Sequence, residues 1–76
     1  MSPRLPAVTA GRVVRVAERL GFVFDRQKGG HAVYYRERDK ARVVIPMHKG
    51  KTIKPGTLAG ILHDMGITAE EFRELR

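Results

Sequence analysis

Phe22-Val23-Phe24-Asp25-Arg26-Gln27-Lys28-Gly29-Gly30-His31-Ala32-Val33-Tyr34-Tyr35-Arg36-Glu37-Arg38 is the stretch that decides how this 76-residue chain folds. Phe22 to Arg26 alternates and is rich in aromatic and β-branched side chains, which predicts a half-buried strand. Gly29-Gly30 can take positive φ without steric cost, so the chain can reverse there as a hairpin. His31 to Arg38 then predicts the returning strand. The turn delivers one histidine, flanked by cations, to the first position of that strand. Side chains two apart share a face, so His31 groups with Val33 and Tyr35, opposite Ala32, Tyr34 and Arg36. A bulge after the turn would exchange the two faces, and the sequence leaves both assignments open.

Downstream, Arg38-Asp39-Lys40 reads as a polar turn and Ala41 to Met47 as a third strand, with Val43, Ile45 and Met47 facing away from Val44 and His48. Pro46 cannot donate to a ladder, so it marks an edge position or the strand's end. Lys49-Gly50-Lys51-Thr52 is a basic loop. Upstream, Thr9 is a candidate N-cap. Val13, Val16, Ala17 and Leu20 then form an apolar helical stripe, with Arg12, Arg15 and Arg19 off it. Gly21 suits a left-handed helix end, with Phe22 packing back. Pro55 pre-sets a second helix start. Leu58, Ile61, Leu62 and Met65 form its stripe, and Gly66 closes it. Thr68 and Glu71 have capping-box spacing and open a short last helix carrying Phe72 and Leu75. The fold class expected is α+β, in the order α-β-β-β-α. Two helices cover one face of a three-stranded antiparallel sheet, a short C-terminal helix follows, and the other face is open to a ligand. Residues 1–8, with Pro3 and Pro6 and no periodicity, are expected as a flexible arm, and residues 9–76 as a single domain.

This length suits one domain with a modest core. The absence of cysteine excludes disulfides and thiolate metal sites and fits a reducing, cytoplasmic compartment. Nothing approaches the roughly 20 apolar residues of a membrane span. Arg4, Pro6 and Arg12 interrupt any signal-type apolar core. The net charge of +7 is unevenly placed. Residues 22–54 carry nine Lys or Arg against Asp25, Glu37 and Asp39, whereas residues 55–76 are net acidic. Positive charge concentrated on the predicted sheet points to a polyanion, nucleic acid before a merely solvated surface.

Of the three histidines, His63 lies off its helix stripe and reads as solvated, while His48 ends the third strand beside the basic loop. No Cys and no clustered Asp or Glu accompanies them at ligand spacing, so no metal site is expected. Histidine, with an ordinary pKa of about 6.5, exchanges protons near neutral pH. On composition alone, His31 as a turn residue bonded to backbone is the better supported reading.

Gly29-Gly30-His31, Ile45-Pro46-Met47-His48, Lys54-Pro55-Gly56-Thr57-Leu58 with Ile61-Leu62, Gly66-Ile67-Thr68 and Glu71-Phe72 together resemble the HicA toxin family over roughly residues 10–74. The resemblance implies a small double-stranded-RNA-binding-domain-like fold. It also implies a ribonuclease that cleaves mRNA, the toxin of a toxin–antitoxin pair neutralised by a HicB-type antitoxin. The family's catalytic histidine, in a Gly-Ser-His motif, corresponds to His31; Gly30 stands where the family has serine.

RNA supplies its own nucleophile, so cleavage needs proton transfer and charge stabilisation without a metal or other cofactor. On that resemblance His31 is the expected general acid or base, with His48 as a candidate second group. Lys28, Lys49 and Lys51 are candidates to hold phosphate, as are the amides of Gly56 and Thr57 at a helix start. Tyr34 and Tyr35 are candidates for base stacking, but their parity sends them to opposite faces. The charge distribution equally supports a non-catalytic RNA-binding module of the same fold. A helix-turn-helix reading of the last two helices would turn Glu70, Glu71 and Glu74 toward DNA phosphates, the wrong sign.

Overall fold

The computed structural model describes residues 7–47 and 52–75. In chain order the elements are β1 (Val8–Thr9), α1 (Ala10–Arg19), β2 (Val23–Lys28), β3 (His31–Arg36), a 3-10 turn (Glu37–Asp39), β4 (Ala41–Pro46), β5 (Thr52–Ile53), α2 (Pro55–Met65) and α3 (Ala69–Leu75). Strands β2, β3 and β4 form an antiparallel sheet in that order, and β1 pairs with β5 in a separate two-stranded ribbon. The architecture is α+β, as expected, and consistent with the double-stranded-RNA-binding-domain-like arrangement. Among the described residues no helix is long and apolar enough to cross a membrane.

The helix ends form for the reasons the sequence suggests. Thr9 Oγ1 accepts from the Arg12 N–H (3.4 Å), capping α1. At the other end Gly21 adopts φ +92°, and the Gly21 and Phe22 N–H groups donate to the carbonyls of Glu18 and Ala17. That is the left-handed closure in which only glycine avoids a Cβ penalty. The Thr68 N–H donates to Glu71 Oε1 (2.9 Å) and the Glu71 N–H to Thr68 Oγ1 (3.1 Å), a reciprocal capping box opening α3.

One face of the sheet carries the core. Ala32 and Tyr34 of β3, with Val43 and Ile45 of β4, are buried against Val13, Val16 and Ala17 of α1. Leu58, Ile61, Leu62 and Met65 of α2 complete the layer, and α3 closes it with fully buried Phe72.

Four expectations need correction. Phe22 is not part of the first strand; it is buried just ahead of it, and every residue of β2 is exposed. The helices contact β4, which leaves edge strand β2 outside the packed layer. The second strand stops at Arg36 because residues 37–39 turn, drawing the Asp39 carboxylate back onto the Arg36 guanidinium. The third strand ends at Pro46, which has no N–H to extend a ladder. Val8, assigned to the arm, is instead buried and paired with Ile53 in a ribbon that local periodicity did not reveal. Residues 1–6 lie outside the described residues.

Candidate functional site

The register settles which face His31 joins. Lys28 and Pro46 flank His31 on the neighbouring strands, Arg26 and Val44 flank Val33, and Val23 and Arg42 flank Tyr35. These three rows share the face opposite the buried Ala32, Tyr34, Val43 and Ile45. Directly opposed residues hold their Cβ atoms about 4.5–5.5 Å apart, so Lys28 is an immediate neighbour of His31.

A bulge does occur, but in β2 between Phe24 and Arg26 rather than after the turn. It lets Arg26 and Lys28 join His31 while Phe24 goes to the other face. There Phe24 meets Tyr34 edge-on, with ring centroids 5.7 Å apart.

The turn is held tightly. Gly29 has φ +59°, as the first position of a two-residue hairpin turn requires. Gln27 Nε2 donates to the Gly29 carbonyl (3.0 Å), and the Met47 N–H donates to the Gly30 carbonyl (2.7 Å). The backbone entering His31 is thus fixed from both sides.

His31, Lys28, Arg26, Val33, Arg42 and Val44 line an open groove of about 480 Å³. That volume is in the roughly 300–1,000 Å³ range of small-ligand sites. Its floor is apolar and its rim cationic, with exposed His31 at one end. Arg26 is held by Asp25 (2.8 Å), and its planar fork retains further donors. The arrangement suits an anion bound beside a proton-transfer group, next to an apolar shelf.

Of the residues singled out in the sequence, Lys28, Gly29, Gly30 and His31 come together here. Gly56 and Thr57 are exposed in the first turn of α2, the helix packed on the covered face, and do not line the groove. His63 is exposed on α2, off the apolar stripe, as read. His48, Lys49 and Lys51 lie outside the described residues. Tyr34 belongs to the core, where burial and the Glu18 carboxylate raise its phenol pKa above the ordinary value. Arg26 and Arg42 also line the groove and are not among the residues singled out from the sequence, although strand parity on either side of His31 carries a signal for both.

A family model described as "HicA toxin of bacterial toxin-antitoxin" matches residues 10–67. That span includes the hairpin, all three sheet strands and α2. No curated protein gives a significant match.

Proposed function

The chain belongs to the HicA toxin family, the toxins of bacterial toxin–antitoxin pairs, and on that premise we propose that it is a metal-independent endoribonuclease cleaving mRNA. The observation that carries the proposal is the pairing of His31 with Lys28 on the uncovered sheet face, in a groove rimmed by Arg26 and Arg42. In the reaction the 2′-hydroxyl oxygen bonds to the adjacent phosphorus and the P–O5′ bond breaks. One proton leaves the 2′-oxygen and another reaches the departing 5′-oxygen. His31 performs one of these transfers, a role worth about 10²–10⁴-fold. Lys28 and Arg26 hold the phosphate and offset the charge gathering on its oxygens, with Arg42 adding to the positive field further along the groove.

His48 is proposed as the second proton-transfer group. The neighbouring Met47 is bonded to Gly30 at the turn that presents His31, which supports this pairing. Lys49 and Lys51 are proposed as further phosphate contacts, as are the amides of Gly56 and Thr57 at the start of α2. The antitoxin is proposed to be HicB-type, with an acidic surface that covers the groove and His31.

The test is RNA cleavage by the purified protein and its His31→Ala variant, with a chelator present. The expected result is cleavage by the parent and a loss of about 10²-fold or more in the variant, which still binds RNA. Binding without cleavage by the parent would instead establish the non-catalytic RNA-binding module. Equal cleavage by both proteins would remove His31 from the mechanism.

A further inference from the structure

The uncovered face carries one aromatic side chain whose position neither core packing nor proton transfer uses. Tyr35 lies four residues along β3 from His31, about 13 Å away. It is half-buried, and the Arg42 guanidinium carbon sits 5.6 Å from its ring centroid. The pair is already assembled across the β3–β4 register. Val33 and the 45 % exposed Val44 lie between this pair and His31 as an apolar floor. Lys40 is held by Glu37 (2.9 Å), and that bond, reinforced by the Tyr35 phenol, raises its pKa above the ordinary lysine value. An aromatic ring beside an apolar floor and several cations matches a single nucleic-acid strand in charge and in surface.

We propose that Tyr35 and Arg42 form a base-stacking platform that seats a nucleotide of single-stranded RNA displaced along the groove from the bond at His31. The inference rests on the ribonuclease reading for its substrate, and it deepens that reading by naming a positioning site. Tyr35 and Arg42 offer planar surfaces to any base, so the platform sets the register of the strand without dictating sequence. Bases stacked in this way must be unpaired, which selects single strands over duplexes.

The test uses two probes of equal length that lack the nucleophile and cannot be cleaved. One is a 2′-O-methyl oligoribonucleotide; the other has the same backbone with abasic positions. The parent should bind the base-bearing probe about 10-fold or more tightly than the abasic one. Tyr35→Ala should abolish that preference without changing affinity for the abasic probe, whereas Tyr35→Phe should keep it. Arg42→Lys keeps the charge but removes the planar fork, so it should reduce the preference. The platform is overturned if the parent shows no preference, if Tyr35→Ala weakens both probes equally, or if a duplex of the same length competes as well as the single strand. Because cleavage is not the readout, a protein that stacks bases but fails to cut RNA would sink only the ribonuclease reading. One that cuts RNA while Tyr35→Ala leaves base preference intact would sink only the platform.

Discussion

Among the described residues Arg36 is the charged one that the structure removes from the surface. It is 8 % exposed, yet its guanidinium grips both carboxylate oxygens of Asp39 (3.0 and 2.8 Å). It also donates to the carbonyls of Leu20 (2.9 Å) and Met65 (3.4 Å) and lies 4.4 Å from the Phe22 ring centroid. Those carbonyls close α1 and α2, so one cation serves the negative ends of two helix dipoles. Lysine cannot reproduce a planar, multiply bonded contact of this kind. Arg36→Lys should therefore cost about 2–3 kcal/mol in urea unfolding, since it strands acceptors that Arg36 now satisfies. The Arg36 hydrogen bonds hold the Asp39 carboxyl below the ordinary aspartate range. A depressed folded-state pKa stabilises the protein above the unfolded value, about 3.9, and that stability fades as pH falls toward the folded value. Thermal unfolding of Asp39→Asn should thus lie below the parent at pH 7, and the gap should narrow as pH drops below about 4. Nothing in the sequence marked Arg36 as interior. Its burial needs Phe22, Leu20 and Met65 brought together from distant positions.

Among the elements, the β2–β3 hairpin bears the proposed site, and its geometry rests on one backbone conformation. Gly29 at φ +59° has open space where a Cβ would stand, so substitution there meets backbone strain and no clash. A non-glycine residue in that region costs about 1–2 kcal/mol. Gly29→Val should lower the melting temperature and, by loosening the entry to His31, reduce RNA cleavage more than it reduces RNA binding. An unchanged ratio of the two would mean that the turn does not position His31. The hairpin was legible in the sequence because the Gly-Gly pair and the strand periodicity are local signals. The exposure of β2 was not. An alternating aromatic pattern implies a buried face only when a helix lies over it, and here Phe24 covers Tyr34 from the sheet's edge and stays 54 % exposed.

Across the whole molecule, the central positive charge is partly neutralised within itself. Each acid of residues 22–54 pairs with a local cation: Asp25 with Arg26, Asp39 with Arg36, and Glu37 with Lys40. The excess in the groove is therefore carried chiefly by Lys28 and Arg42. Each phosphate contact to a single strand contributes about 0.7 to the slope of log affinity against log salt. Lys28→Ala should reduce the magnitude of that slope by about this amount, while Arg19→Ala on the helix layer should leave it unchanged. Equal effects would mean that RNA reads the overall charge and not the groove. By itself the sequence determined the α+β order, the helix caps, the hairpin and the partition of side chains into two alternating sets, because caps, turns and periodicity act over a few residues. Only the tertiary structure decided which set met the helices. That choice depends on the bulge at β2, the cross-strand register and the packing of α1 and α2 over Ala32, Tyr34, Val43 and Ile45. His31, Lys28, Tyr35 and Arg42 are left together on the open face because burying the apolar set there excluded water from the other side of the same strands.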